Sequence, residues 1–146
     1  MEQNILNIIN KLYKNIQHIQ INIQNNNKDY YASEFIINNK KICFRKGKIT
    51  PTKLGHFVSL WKINNNINVP YDINDNYDKY IFYVEDKLKS GFFVFTKKEL
   101  LENKILSDNI NKIKGKLGFR LYAPWYNVKN NTAKNTQILQ IKHFIY

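Results

Sequence analysis

Lys48, Thr50, Thr52 and Lys53 surround Pro51 in the stretch KGKITPTKLGHFVSLWKI, residues 46–63. Proline fixes its own φ and holds Thr50 extended, so the loop is stiff. Backbone N–H groups and two threonine hydroxyls can face a phosphate there. Lys48 and Lys53 add charge, and Arg45 just upstream offers a planar fork matched to phosphate oxygens. Contacts of this kind set affinity and register without reading sequence. A solvated loop between two strands fits the same residues equally well.

Two further stretches have the same chemistry. In KIKGKLGFRLYAPWY, residues 112–126, Lys112, Lys114 and Lys116 stand around Gly115. The strand that follows puts Arg120 and Tyr122 on one side. Glycine permits close backbone approach to a ligand, and Trp125 or Tyr122 offers a face for a base. Phe119, Leu121 and Trp125 read better as core. Arg120, inside an apolar strand, needs a carboxylate partner or a cleft to face. In NNTAKNTQILQIKHF, residues 130–144, Lys134 and Gln137 fall one helical turn apart, as do Thr136 and Gln140. A helix N-terminus beside them welcomes an anion; a surface helix with polar residues outward is an equal reading.

The elements that must position these groups follow from periodicity. Ile5, Ile8, Ile9, Leu12, Ile16 and Ile19 recur at helical spacing, with Asn7, Lys11, Lys14 and Gln17 off the stripe, which predicts a helix over 4–19. Residues 30–37 and 40–45 predict a hairpin closed by Asn38-Asn39. Residues 55–63 predict one strand, apolar on both faces and therefore central. Residues 64–78 read as a polar connection, and 79–85 with 91–96 as a second hairpin. A short helix over 97–103, a strand over 117–123 stopped by Pro124, and a closing helix over 132–144 capped by Asn131 or Thr132 complete the chain. The expected fold is α/β (α+β): a single domain over 1–146 with a mixed, mostly antiparallel sheet flanked by the N- and C-terminal helices.

Composition narrows the partner. The chain has 146 residues, 23 Lys+Arg against 11 Asp+Glu, and a net charge of +12. That excess favours polyanions, nucleic acid first and an anionic membrane surface second. The 21 lysines against two arginines, with abundant Ile and Asn, also match an AT-rich coding bias, so Arg45 and Arg120 carry more information than any lysine. With Cys43 alone, no internal disulfide and no Cys/His metal spacing exist. No run reaches the roughly 18 apolar residues of a membrane helix, and Met1-Glu2-Gln3-Asn4 lacks the basic start of a signal peptide. A cytoplasmic setting without a membrane partner is the expectation.

Taken in order, the blocks resemble a known family. They are Lys48-x-Thr50-Pro51-Thr52-Lys53-x-Gly55-x-Phe57-Val58-x-x-Trp61, Pro70-Tyr71-Asp72, Gly91-x-Phe93-Val94-Phe95-x-Lys97, Gly115-Lys116-x-x-Phe119-Arg120-x-Tyr122-x-x-Trp125, and Ala133-Lys134-x-Thr136-Gln137-x-x-Gln140. Together they look like the MepB family of small bacterial proteins, from about Tyr30 to Phe144. Thr96 stands where that family usually has proline, and Leu139 where it usually has tryptophan. The resemblance implies a restriction-endonuclease-like fold similar to the mismatch nuclease MutH and to the non-catalytic effector-DNA-binding domain of a related restriction enzyme. It also implies nucleic-acid binding, DNA or RNA, without known catalysis. Lys48, Lys53, Arg120 and Lys134 are the basic positions it carries over as contacts.

A MutH-like fold raises a second possibility, a Mg²⁺-dependent endonuclease. Asp78, Glu85 and Lys87 have the required order of acids and lysine. Against it, the triplet falls where a hairpin should turn, and acid-x-lysine triplets arise by chance in a lysine-rich chain. No Ser/His/Asp order, paired catalytic carboxylates, Rossmann glycines or Walker motif can be read, and no cofactor is expected. A regulatory module whose basic face meets an acidic protein is a third reading.

Overall fold

Residues 79–86 alternate strictly. Tyr80, Phe82 and Val84 enter one apolar cluster, Ile81 and Tyr83 another, and all five are buried. A strand apolar on both faces must be covered on both, and the rest of the chain supplies the covers.

The computed structural model describes residues 1–16 and 18–146. In chain order the elements are helix α1 (Glu2–Tyr13) and strands β1 (Asn22–Ile23), β2 (Ser33–Ile37), β3 (Lys40–Lys46), β4 (Lys48–Ile49), β5 (His56–Ser59), β6 (Trp61–Asn64), β7 (Ile67–Pro70), β8 (Lys79–Asp86) and β9 (Lys89–Thr96). Helix α2 (Lys97–Glu102), strand β10 (Gly118–Leu121), helix α3 (Asn131–Ile141) and strand β11 (Phe144–Ile145) follow, and a 3-10 turn spans Lys28–Tyr30.

Six strands form the main sheet in the order β1-β2-β3-β8-β9-β11, antiparallel except for the parallel pair β3–β8. This is the mixed, mostly antiparallel sheet with flanking helices that the sequence predicts. On one face α1 contributes Ile5, Ile8 and Ile9 against Phe35, Ile42, Phe44, Ile81 and Phe92. The other face is covered by a second sheet, β10-β5-β4, whose Val58, Phe119 and Leu121 join Phe82, Val84 and Phe93. Phe82 and Phe119 meet edge to face at 5.2 Å between centroids, a favoured aromatic geometry.

Four local expectations are corrected. The first helix ends at Tyr13, because Lys14 and Asn15 take positive φ and Asn10 Oδ1 accepts from the Ile16 N–H at 2.8 Å. Ile16 and Ile19 still pack on the α1 cluster from outside the helix, and Gln17 lies outside the described residues. Residues 55–63 form two strands, not one. The chain leaves β10 at Leu60, whose N–H donates to the Leu117 carbonyl, and β6 then pairs with β7. That hairpin lies partly in the expected polar connection and is closed by Asn65-Asn66 at φ 52° and 62°. Asn38-Asn39 closes β2–β3 with the same conformation; asparagine tolerates positive φ at two-residue hairpin turns. Finally, the closing helix stops at Ile141. The tail becomes β11, with Phe144 opposite Phe93 and their rings 4.8 Å apart.

Candidate nucleic-acid interface

The register of the small sheet builds the site. Phe57 on β5 pairs with Lys48 on β4 and with Arg120 on β10. Directly opposed residues share a face, so Lys48, Phe57 and Arg120 form one row across three strands. Alternation turns His56, Val58, Phe119 and Leu121 inward, where all are buried. The row is an aromatic strip with a cation on each side. Arg120 Cζ lies 5.9 Å from the Phe57 ring centroid, Lys48 Nζ lies 4.8 Å from that of Tyr30, and Tyr30 meets Phe57 edge-on at 6.2 Å. A side chain at Gly118 would put its Cβ 2.6 Å from Phe57 Cζ, so glycine there leaves space for the ring.

The loop of residues 50–55 is tied to this row. Arg120 Nη1 donates to the Leu54 carbonyl at 3.1 Å and approaches that of Gly55 at 3.5 Å. Gly55 has φ +88° and passes so close to β10 that a Cβ would sit 2.6 Å from the Leu121 oxygen. No other residue suits both conditions. Thr50 Oγ1 reaches the Lys53 carbonyl at 3.5 Å across the turn.

Three hollows share walls beside the loop. One of 310 Å³ is bordered by Thr50, Thr52, Lys53, Asp86 and Tyr126. The next, 690 Å³, lies between Lys53, Tyr122, Lys129 and Thr136. The third, 390 Å³, continues past Tyr122 and Thr136 to Arg120 and Lys116, over a floor that includes Phe95, Phe119 and Leu139.

Helix α3 forms the far wall, held by side-chain amides. Gln140 Oε1 accepts from the Tyr122 N–H and Gln140 Nε2 donates to the Arg120 carbonyl, each at 2.9 Å. The amide thus stands in for a neighbouring strand at the edge of β10. Gln137 Nε2 donates to the carbonyls of Ala123 and Tyr126 at 3.0 and 2.9 Å. Gln137 is therefore a brace with its donors spent inside the protein, not the ligand contact the sequence suggested. The helix starts one residue earlier than expected, with Asn130 Oδ1 accepting from the Ala133 N–H. Lys134 is exposed on its first turn.

Charge is distributed unevenly among these groups. Glu34, Glu85, Asp72, Asp75 and Glu99 pair with Lys41, Lys46, Lys62 and His143, away from the loop, whereas Asp86 borders the loop's hollow and is engaged by the Tyr126 hydroxyl. Among the described residues Lys53, Lys116, Arg120 and Lys134 form no ion pair. Lys48 has one, 3.6 Å from Asp29, whose side chain is 83% exposed. The Glu85 carboxyl is held below its ordinary range by the hydrogen bond from Lys46, assisted by the Tyr83 hydroxyl.

Arg45 corrects the sequence reading. It has no exposed surface, so it cannot reach a polyanion. Cys43 and Arg45 lie on the β3 face that the small sheet covers, whereas Ile42 and Phe44 face α1. The Arg45 Nη1 donates to the Phe44 carbonyl at 2.8 Å and Nη2 to the Tyr71 hydroxyl at 3.2 Å, and Nε has no partner. Gly115 also differs. It packs against the backbone of Ile105 and Leu106, so the close approach it permits is to the chain itself.

The nuclease triplet does not assemble. Asp78 precedes β8 and accepts from the Lys41 N–H, while Glu85 lies near the strand's other end, about 23 Å away at strand rise. Lys87 sits in the β8–β9 turn with φ 55°. Among the described residues no group of three His, Cys, Asp or Glu side chains could hold a metal.

One arrangement was not read from the sequence. The Tyr126 hydroxyl is 3.0 Å from both Asp86 Oδ2 and His56 Nε2. A carboxylate needs a donor, so the hydroxyl proton faces Asp86. His56 then carries its proton on Nε2, and Nδ1 is left buried and bare. Burial, with the Arg120 charge adding to it, lowers the His56 pKa to about 4 despite Asp86.

A mixed sheet with a smaller sheet on one face and a cation-lined groove at its edge defines a small α/β domain of a recognisable class. The chain belongs to the MepB-like family, whose family model matches residues 24–146. It is also similar to a crystal structure of MepB at 33% identity and a TM-score of 0.85, over 99% of this chain and 96% of that one. No curated protein matches the chain.

Proposed function

We propose that this protein binds nucleic acid through the phosphate backbone, with low sequence specificity and without cutting it. The observation that carries the reading is the row Lys48–Phe57–Arg120, continued by Lys53 and Lys116 along shared hollows. Cations interleaved with aromatic faces suit a polyanion whose bases can stack. The restriction-endonuclease-like relation and a cytoplasmic setting belong to the same proposal, supported by the mixed sheet and by the lack, among the described residues, of a helix long and apolar enough to cross a membrane.

Neutralising phosphates releases counterions, so affinity must fall with salt. With about four phosphates engaged, doubling the salt weakens duplex binding about tenfold. Reversing Lys48 and Lys53 to glutamate weakens every sequence alike and flattens that dependence. An affinity indifferent to salt would overturn the reading. Cleavage of plasmid in Mg²⁺ or Mn²⁺ that Glu85→Ala abolishes would replace it with the nuclease.

A further inference from the structure

We propose that the 390 Å³ hollow between β10 and α3 receives one unpaired nucleotide unit, its base inside and its phosphate at the rim. The inference rests on the reading above and names what the groove holds at that point. The hollow is at the lower end of small-ligand pockets, about 300–1,000 Å³. It is large enough for a single base.

Its lining is divided by chemistry. The floor is apolar, with Phe95 and Phe119 nearly buried beneath the half-exposed Leu139. Lys116 and Arg120 stand on the wall. Among the described residues Arg120 uses only Nη1 for bonding, so Nη2 and Nε are free for a phosphate. The Tyr122 hydroxyl and Asn103 Oδ1 also lack protein partners among the described residues, and Asn103 and Tyr122 both line the hollow. They can address a base edge.

Continuity places this ligand on a strand. Arg120 belongs both to the hollow and to the Lys48–Phe57 row, so a chain lying along the row passes the mouth of the hollow. An unpaired nucleotide enters at the lowest cost, because no pairing has to be broken. A free nucleoside monophosphate presents the same base and phosphate, and the test separates the two sources.

Three labelled duplexes are compared at one salt concentration: fully paired, with a single-nucleotide bulge, and with an abasic bulge. Nucleoside monophosphates are titrated separately. A polymer source gives about tenfold tighter binding to the bulged duplex, a gain absent from the abasic one. A free-nucleotide source gives saturable monophosphate binding instead. In either case Leu139→Trp, which fills the hollow from a half-exposed position of its apolar lining, removes the effect while the paired duplex retains its affinity and salt dependence. Asn103→Leu, at a position that lines this hollow and neither of the other two, weakens the gain by a second route. If neither bulge nor monophosphate is preferred while the paired duplex binds with its salt dependence, the hollow holds no nucleotide and the groove reading stands. If no nucleic acid binds and monophosphate is ignored, both fail.

Discussion

Arg120 donates to the Leu54 carbonyl at 3.1 Å, so the cation that faces the groove also pins the loop carrying Lys53. Lysine at 120 keeps the charge but cannot reproduce the planar fork. Arg120→Lys is therefore expected to preserve the salt dependence of binding while amide exchange in residues 50–55 quickens. Arg120→Ala loses both, weakening duplex binding about tenfold and lowering the salt slope by about one. Unchanged exchange in the lysine variant would mean that the loop is held by other contacts.

Asp29 sits 3.6 Å from Lys48 and is mostly in water. Exposed pairs of this kind contribute little to stability, but the carboxylate competes with a phosphate for the same ammonium. Asp29→Asn should leave the melting temperature within a degree or so and tighten duplex binding roughly threefold in low salt, the gain fading as salt screens it. Weaker binding would show that Asp29 positions Lys48 for its ligand instead of blocking it.

His56 ties stability to pH. Its pKa falls from an ordinary 6.5 to about 4 in the folded protein. Between those values the unfolded chain binds the proton and the folded one does not. Stability therefore falls as pH drops from 6.5 to about 4 and then levels off with respect to this group. The full span corresponds to about 3 kcal/mol. Asp86, Glu85, Arg120 and Tyr126 are the groups that face it. Denaturant midpoints for His56→Gln, which keeps a donor toward Tyr126, should lose that slope.

Arg45 is buried with the Tyr71 hydroxyl as partner to Nη2. Tyr71→Phe removes the acceptor and leaves a buried donor unmet, costing about 1–3 kcal/mol. Because Arg45 has no exposed surface, the folded variant should bind nucleic acid as the parent does. A parallel loss of affinity at temperatures where the variant is folded would require Arg45 to act on the groove from below.

The two hairpins at the heart of the main sheet, β2–β3 and β8–β9, were legible because short apolar runs and turn residues such as Asn38-Asn39 announce strands and their turns, whereas the border strands β1 and β11 are too short to show a period of their own. The row across the small sheet was half legible. The sequence picks out Lys48, Arg120 and Phe57, but nothing local says that β4 and β10 both pair with β5, which is what aligns them. Arg45 misled because charge density along a sequence ignores which face a residue occupies; Cys43 two residues earlier was the clue that this face is interior. The split at Leu60 and the His56–Tyr126–Asp86 chain depend on contacts between distant segments, which no window of sequence contains.

The edges of the main sheet bear on how this chain behaves when concentrated. Its inner strands β8 and β9 are eight residues long, yet the strands at its two borders, β1 and β11, have two residues each. An isoleucine- and asparagine-rich polypeptide is the kind that stacks strand upon strand into fibrils. Here the two border strands are too short to template growth themselves, and each interrupts the edge of the longer strand behind it, at Ser33–Glu34 of β2 and Phe92–Phe93 of β9. The tail after α3 closes the middle of β9's outer edge, with Ile145 and Phe144 opposite Phe92 and Phe93 and the His143 carbonyl accepting from the Val94 N–H; truncating it would open that stretch, and clouding on storage is where the exposure would first be seen.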